Sequence, residues 1–510
     1  MYLITIKNRI LEKQVRKFLL GSVFGVAVLT AGCSTSVTRV TDVEAANFAA
    51  ESREAILTRQ TPVTQSISLY EAMARALKHN LDHRVAMMEA DLAQADYDLS
   101  RWDMLPKVVA NGQYYGRSNE AGASSLSLLS GRESLEPSTS TDKNVSTGDL
   151  TASWNILDFG LAKIRAEQLG NEALIFEERR RKAIIKIMED VHRSYYRAIS
   201  AERLASRLNA LEGDVSQSFK TSREQFALRR TSPMPTLTYQ RELNDIQSQA
   251  QRLTRDMQMA KMELAALMGL SPDQKYNLQI QGEMPRPQKL IMSYEDMIDQ
   301  ALQNRPEIRE NLYTQRIGET EIKKASLEAL PSLEGFVGLD ASSNDFLFNN
   351  DWAGYGARVS WNLLTVFSTG KRKRKAKAQA ELERERGLAT AMAVMTQVGV
   401  ARARYDSLTS EYQTASDGAM VQNDILGQVE SLAQASSASK QTLIRERMNG
   451  IISEARRDAV MAEMAEASAH IYSAMGYDPY TTGIDGTEDI ETIASNLRVL
   501  WTERSRSPGQ

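Results

Sequence analysis

The stretch DLTASWNILDFG, residues 149–160, passes from one hydrophobic period to another within a few residues. Leu150, Ala152 and Trp154 alternate with polar side chains, a pattern that predicts a strand with one apolar face. The following residues 161–228 contain no proline, and their apolar side chains recur mostly at steps of three and four, as in a coiled coil. If helical throughout, this segment would extend roughly 100 Å at 1.5 Å per residue. The sequence therefore predicts a strand that leads into a very long helix.

Four landmarks of this region recur later in the chain, in the same order. Ala76-Leu77 and Leu105-Pro106 recur after 225 residues, and Trp154-Asn155 and Met268-Gly269 recur after 207 residues. The segment from tryptophan to glycine is therefore equally long in both copies, whereas the connection before it is not. This pattern predicts an internal duplication in which the helical rods have a fixed length. The second copies are Ala301-Leu302, Leu330-Pro331, Trp361-Asn362 and Met475-Gly476.

Alternation with period two also marks residues 332–340 and 353–362, so we expect four strands per chain. Strands of about ten residues with one apolar face are typical of outer-membrane barrels. Lipid does not tolerate an open sheet edge and four strands cannot close a barrel, so several copies would have to share one. The alternative is a pair of soluble hairpins packed on a core. The strands are expected to begin near Lys107, Asn144, Ser332 and Trp352. The predicted lipid-facing residues are Trp154, Val337, Tyr355, Val359 and Trp361.

The N-terminus has the pattern of an export signal. Lysine and arginine residues precede an apolar run from Phe18 to Ala31, and Gly32 and Cys33 follow it. The box Leu-Thr-Ala-Gly-Cys at residues 29–33 resembles the lipidation site of bacterial lipoproteins. We therefore predict a signal peptide over residues 1–32 and acylation of Cys33. The alternative is an ordinary secretory signal with a chance cysteine.

Composition excludes several classes of protein. The 510 residues are 42% hydrophobic and 25% charged, which is enough to bury a core and excludes a disordered chain. A net charge of −3 gives no overall basic field, so we expect no nucleic-acid partner. The single cysteine excludes a disulfide framework and a multi-cysteine metal cluster.

No constellation of residues indicates catalysis. His79 and His83 have helical i, i+4 spacing but lack a third ligand, so we interpret them as a surface pair rather than a metal site. The basic run from Lys371 to Lys375 directly follows the fourth predicted strand, which favours contact with anionic lipid headgroups over nucleic acid. We expect no catalytic residue, no metal and no cofactor.

The duplicated motifs resemble those of the TolC-type outer-membrane efflux channels, over about residues 66–480. Each half of that family opens with Glu-Ala, Ala-Leu and Asn-Pro, and the strand-to-helix motif is tryptophan followed by Leu-Phe-Asp-x-Gly. The first half of this chain has Glu71-Ala72, Ala76-Leu77 and Asn80-Leu81, and its strand-to-helix motif is Trp154 to Gly160. The second half has Glu295, Ala301-Leu302, Asn304-Arg305-Pro306 and Trp361 to Gly370.

The resemblance implies an α+β membrane protein that assembles as a homotrimer. Twelve strands, four from each chain, would form one shared β-barrel in the outer membrane of a Gram-negative bacterium. Long coiled-coil hairpins would continue it as a helical tunnel through the periplasm. Such a channel passively conducts substrates that an inner-membrane pump and a periplasmic adaptor protein deliver, and it is not an enzyme. The remaining alternative is a coiled-coil structural or adaptor lipoprotein of the cell envelope without a pore.

The predicted domain organisation follows the repeat. A lipidated segment over 33–65 precedes a first repeat over 66–290, with a β-hairpin over 107–156 and a helical hairpin over 161–269. The second repeat, 291–479, has its β-hairpin over 332–362 and its helical hairpin over 371–476, and a C-terminal tail over 480–510 follows.

The resemblance also assigns roles to the turns of the two helical hairpins. In the family these tips contact the adaptor and close the tunnel. Thr442 and Arg445 occupy about the positions of the family's gate carboxylates, and three copies of Arg445 would form a basic ring that favours anions. An equally weighted alternative has Arg445 facing solvent or paired with Glu446. The predicted tip residues are Arg229, Arg230, Thr231, Ser232, Ser436, Ser437, Ala438 and Ser439.

Overall fold

The computed structural model describes most of the chain beyond residue 37. Its compact units are residues 1–59 and 60–510. The described residues are 38–63, 65–134, 136–228, 232–271, 274–279, 292–435, 437–478, 483–484 and 486–506. Cys33 lies outside them, so the predicted lipidation site stays a prediction.

The described part of the first unit contains one helix, α1 (Asp42–Thr58). Thr41 begins it, because its hydroxyl accepts from the amide of Glu44 while the Glu44 carboxylate accepts from the amide of Thr41. No residue of α1 is buried.

Nine helices of the described residues belong to the second unit, and they repeat in length. The helix from each strand toward the tip has 72 residues and the returning helix has 35, in both repeats. At 1.5 Å per residue the longer helices extend about 108 Å. The first repeat has α2 (Leu69–His79), α3 (Leu81–Ser100), α4 (Ile156–Ala227) and α5 (Pro233–Leu267). The second has α6 (Tyr294–Asn304), α7 (Pro306–Leu327), α8 (Leu363–Gln434) and α9 (Lys440–Ala474), followed by α10 (Ile490–Arg506).

Four antiparallel strands form one sheet in sequence order, and their number is the one that the alternating pattern predicts. The third strand begins 225 residues after the first, and the fourth begins 207 residues after the second, so the strands repeat the two shifts found in the sequence. Because β1 and β4 are at the two ends of this order, no strand of the described residues pairs with their outer edges. The strands are β1 (Lys107–Gly116), β2 (Asn144–Asn155), β3 (Ser332–Ser342) and β4 (Asp351–Ser360). The fold class, with long helical hairpins, a duplication and four strands per chain, is thereby confirmed.

The long helices begin earlier than the segments 161–269 and 371–476 proposed from the sequence. Helix α4 begins at Ile156, directly after β2, and α8 begins at Leu363, with two residues between it and β4. The reason is local: the side chain of Asn155 accepts from the amides of Leu157 and Asp158, and that of Asn362 accepts from the amide of Thr365. These asparagines satisfy first-turn N–H groups that would otherwise lack a partner.

The helices adjoining the sheet pack in the order α3, α4, α7, α8. The core follows the repeats: one cluster joins α2, α4, the end of α5 and α10, and another joins α6, α8 and α9. A third cluster, which includes Leu208, Leu243 and Ile444, joins the two helical hairpins farther from the sheet. The helices of the two repeats therefore pack side by side in one layer, and this layer adjoins the sheet.

None of the helices described combines the length and the apolar content that a membrane crossing requires.

Candidate functional site

The register of the sheet places four of the predicted lipid-facing residues on one surface. Val337 lies opposite Ala152 on one side and Tyr355 on the other, and Leu333 lies opposite Val359. Trp154 lies opposite Gly335, on the same face. Tyr355 is 87% exposed and Val359 is 68% exposed, so this apolar face is uncovered in the single chain. Trp361 follows β4 by one residue and continues the same alternation.

The other face of the sheet is mostly polar and carries the ring of Phe336. Asp149 lies opposite both Asn111 and Asp340, and the Asn111 amide donates to the Asp149 carboxylate over 3.0 Å. Phe336 also points to this side, where it covers Gly356: a methyl group at Gly356 would lie 2.6 Å from the Phe336 ring. The alternation therefore separates an apolar surface from a polar one, as a sheet between lipid and water requires.

Each repeated tryptophan fixes the junction between helix and strand. The Trp154 indole donates to the carbonyl oxygen of Met104 over 3.3 Å, and the Trp361 indole donates to that of Ala329 over 3.0 Å. Met104 and Ala329 directly precede the two repeated Leu-Pro pairs. The repeated Leu-Pro and Trp-Asn pairs, which recur at different offsets in the sequence, are thus neighbours in the structure. The tryptophan of each Trp-Asn pair bonds the chain that enters the sheet, and the asparagine caps the helix that leaves it.

The repeated Met-Gly pairs form a second junction, between the end of each returning helix and the end of a short helix. Gly269 and Gly476 end α5 and α9 with positive φ angles of 69° and 81°. A methyl group at Gly476 would lie 2.5 Å from the carbonyl carbon of Asn304, and one at Gly269 would lie 2.6 Å from Cβ of His79. His79 and Asn304 are the last residues of α2 and α6. Glycine is needed at both sites because the backbone conformation and the close approach exclude a side chain.

The hairpin tips are described in part. Arg229, Arg230, Thr231 and Ser436 lie outside the described residues. Ser232 precedes Pro233 at the start of α5, and its carbonyl accepts from the Thr236 hydroxyl over 2.8 Å. The amides of Ser437 and Ala438 donate to the Leu432 carbonyl over 2.8 and 3.2 Å, so this turn closes the end of α8. Ser439 caps α9 by accepting from the amide of Thr442 over 3.0 Å.

The two gate candidates lie one turn apart on α9. The hydroxyl groups of Thr442 and Ser439 lie 2.9 Å apart, so Thr442 takes part in the helix cap. The half-exposed Arg445 contacts Glu446 over 3.2 Å and Glu242 of α5 over 3.7 Å. Partial burial alone would raise the pKa of Glu446, but hydrogen bonds from Gln422, Asn449 and Arg445 hold the pKa below its ordinary value. In the single chain Arg445 is therefore charge-paired.

The sequence analysis did not identify a line of buried ion pairs between the repeats. Asp458 of α9 is fully buried, accepts from Ser200 over 2.9 Å and Arg457 over 3.0 Å, and also pairs with Arg203. At the end nearer the short helices, Arg181 of α4 binds Asp478 over 2.7 Å. Asp458 lies 255 residues beyond Arg203 and Asp478 lies 297 residues beyond Arg181, so helical periodicity gave no signal for these pairs.

His79 and His83 have different surroundings. The ring of His79 lies 2.9 Å from the Thr61 hydroxyl, whereas His83 is buried with Nδ1 2.7 Å from the Leu77 carbonyl. The expected surface pair is therefore wrong for His83, because the bend at Asn80 turns it inward. No group of three potential metal ligands occurs within the part of the chain that the structure describes.

The comparisons with known proteins agree with this geometry. Residues 72–270 match the family model described as "Outer membrane efflux protein". Over these residues the chain is similar to the outer membrane efflux protein family. A sequence comparison with curated proteins gives no match.

Solved structures of outer-membrane channels share the fold at low identity. The CmeC outer membrane channel of Campylobacter jejuni has a TM-score of 0.63 and 16% identity, with 84% of this chain and 89% of that chain covered. The MtrE outer membrane channel of Neisseria gonorrhoeae, in an open state, has a TM-score of 0.60 and 18% identity, with 80% and 88% covered. VceC of Vibrio cholerae, an outer membrane protein, has a TM-score of 0.59 and 13% identity, with 80% and 96% covered. The family model covers the first repeat, and the shared fold extends to the second.

Proposed function

We propose that this chain is the outer-membrane exit duct of a tripartite efflux system. Three copies share one barrel of twelve strands, and their long helices form a tunnel through the periplasm. An inner-membrane pump and a periplasmic adaptor protein supply the substrate, which passes through without any bond being made or broken. Acylated Cys33 adds a lipid anchor at the same membrane.

One observation carries this proposal: the sheet is open at both ends and apolar on one exposed face. Backbone groups at an unpaired edge cannot stay unsatisfied in lipid. The outer edges of β1 and β4 therefore need partners. Since the described part of the chain supplies four strands, which are too few to close a barrel, other copies would provide those partners. A ring of three copies satisfies every edge while the apolar face stays toward lipid.

The tips are the proposed contact with the adaptor. They include Ser232, Ser437, Ala438 and Ser439 together with residues 229–231 and 436, at the far ends of the long helices. Thr442 and Arg445 would line the narrow end of the tunnel. Three copies of Arg445 would favour anions there only if assembly breaks the contacts of Arg445 with Glu242 and Glu446.

The experiment that tests the proposal is the mass of the native species extracted from outer membranes in mild detergent. Three copies in one particle, together with conductance in a planar bilayer, are expected. A monomer without conductance would leave the open edges unexplained in lipid, and the chain would then be a coiled-coil lipoprotein of the envelope without a pore.

A charge on the apolar face gives a second test. Val337 lies near the middle of β3, and lysine at such a depth on a lipid-facing surface costs about 2–4 kcal/mol, so Val337→Lys should reduce insertion sharply. Thr151→Lys is the matched control, because Thr151 lies on the polar face near the same level of the sheet. Equal insertion of both variants, measured by heat-resistant assembly in membranes, would show that the apolar face does not meet lipid.

A further inference from the structure

Helix α3, at one end of the helix layer, has an uncovered apolar stripe. Its opposite side, which includes Ala90 and Ala93, is buried in the contact with α4. Positions four, seven, eleven and eighteen after residue 81 lie on one side of a helix, so the stripe is continuous. No helix of the described residues packs against it. The stripe consists of Leu81, Val85, Met88, Leu92 and Leu99, each about half exposed or more.

Helix α8, at the other end of the layer, has a matching uncovered face. Phe367 is 83% exposed, and the face continues with exposed basic residues before it becomes apolar again. Arg372 is on the other side of the helix, where it binds Glu328 just beyond α7 over 3.1 Å. The face away from α7 carries Leu364, Phe367, Lys371, Arg374, Lys375, Leu382 and Met392.

The charges of the two faces are complementary. Asp91, Asp96 and Asp98 are exposed beside the apolar stripe of α3. Among the described residues the cation paired with any of them is Arg101, 3.9 Å from Asp98 at an exposed site. The basic residues of α8 and the acidic residues of α3 both lie about three turns from the sheet. Opposite charges at the same height favour a second copy of this chain as the occupant of each face.

The duplication specifies the register of that contact. Helices α4 and α7 form the same pair inside one chain that α8 and the α3 of a second copy would form between chains. Within the chain, a methyl group at Gly160 would lie 2.7 Å from the Leu327 side chain, and Gln168 donates to Glu321 over 2.7 Å. Shifting α4 by 207 residues and α7 by −225 gives the equivalent positions, Phe367 with Trp102 and Lys375 with Asp96. The larger Phe367 and Trp102 require a wider spacing of the two helices than Gly160 and Leu327.

We propose that α8 of one copy binds α3 of the next in this register. The Phe367 ring would lie against Trp102, in the short 3₁₀ turn (Arg101–Met104) directly after α3, and the Lys375 ammonium would donate to the Asp96 carboxylate. Trp102 is 71% exposed and Phe367 is 83% exposed in the single chain, so both aromatic side chains are accessible to a second copy. The proposal rests on the proposed trimer and adds the residues that align it. The basic run thus serves the contact between subunits, and anionic lipid headgroups are the competing ligand.

Cross-linking tests the register directly. A double variant, Trp102→Cys with Phe367→Cys, should form intermolecular links with a short bismaleimide in the assembled protein. Trp102→Cys with Met392→Cys is the control, because Met392 is on the same face of α8 but about 37 Å farther along it. The unaltered chain, whose single cysteine is Cys33, gives the background. Links in the control pair but not in the first pair would overturn the register.

Charge reversal tests the ion pair. Lys375→Glu and Asp96→Lys should each weaken trimer association by about two- to fivefold per contact, and the two together should restore it. Asp91→Lys combined with Lys375→Glu should not, since Asp91 lies more than one turn away. Failure of restoration in a particle that is still trimeric would refute this inference alone, whereas absence of a trimer from the unaltered protein would refute the proposed function.

The lipid alternative has its own outcome. If Lys375→Glu leaves the trimer unchanged but reduces binding to phosphatidylglycerol vesicles, and Asp96→Lys has no effect on assembly, the basic face binds headgroups and the proposal is wrong.

Discussion

His192 is the residue whose surroundings are most unusual for its chemistry. It is buried in α4, and neither ring nitrogen has a hydrogen-bond partner. Its ring stacks on Trp501 of α10 with the centroids 5.6 Å apart. Burial lowers the pKa of His192 to about 4, and the nearby Glu189 carboxylate only partly opposes this. The folded protein therefore holds this imidazole neutral.

The stability of the helical part should depend on pH through this residue. Between pH 6.5 and 4 the unfolded chain binds a proton that the folded chain excludes, so the free energy of unfolding decreases as the pH falls through that window. Across this pH window the free energy of unfolding should fall by about 3 kcal/mol in total. His192→Phe should flatten the dependence, measured by thermal denaturation in detergent between pH 7.5 and 4.

The control for this prediction is His470→Gln. The His470 ring lies 2.8 Å from the same Glu189 carboxylate but is partly exposed. That variant should keep the acid-sensitive stability that His192 causes. An unchanged pH profile in His192→Phe would assign the acid sensitivity to another group.

At the level of elements, the C-terminal glycines of the returning helices explain why Met-Gly recurs. The amide of Tyr477 donates to the Tyr472 carbonyl over 2.9 Å and that of Gly476 to the Ser473 carbonyl over 2.9 Å, the pattern of a left-handed helix terminus. The α5 terminus at Gly269 has the same pattern. The bend between the two short helices of each repeat packs against this terminus, so one glycine fixes both the helix end and the approach of its neighbour.

Gly476→Ala should therefore destabilise the second repeat by about 1–3 kcal/mol, from a strained backbone and a collision with Asn304. Gly427→Ala in α8 is the matched control. No atom lies within 4 Å of a methyl group there, so the helix should gain up to about 1 kcal/mol. Chemical denaturation would measure both, and equal effects of the two substitutions would contradict the role of the bend.

At the level of the whole molecule, α10 completes the core of the first repeat. Ile493 and Leu497 are fully buried in the cluster that joins α2 and α4. The Lys78 ammonium donates to the carbonyl of Glu488 over 2.6 Å and thereby ties α2 to the segment before α10. The second repeat has no counterpart of α10 among the described residues. The tail is thus a structural part of the helical region.

Leu497→Ala should lower the free energy of unfolding by about 2–5 kcal/mol, because it opens a cavity in this cluster. Val499→Ala, two residues away and 55% exposed, should change it by less than about 0.5 kcal/mol. Denaturant titration of the assembled protein distinguishes the two. Similar small effects would mean that α10 contributes little to the core.

The sequence by itself determined the elements and their repetition. The alternation around Trp154 predicted a strand, the proline-free segments predicted rods, and the two offsets predicted that both repeats have equal helices. These are local properties, since the period of apolar residues reports which face of an element leaves water. Three strands begin at the predicted residues, Lys107, Asn144 and Ser332, and β4 begins at Asp351, one residue before the predicted Trp352.

Only the tertiary structure decided which of these elements pack against each other. It paired tryptophan with the chain before Leu-Pro, brought α4 against Asp458 and Asp478, turned His83 inward and placed α10 in the core of the first repeat. An arginine that faces a distant acid has the same helical spacing as one that faces water. The spacing therefore cannot distinguish them, because the energy of the ion pair depends on a partner more than 250 residues away. Periodicity specifies a face, and packing of the folded chain selects what covers it.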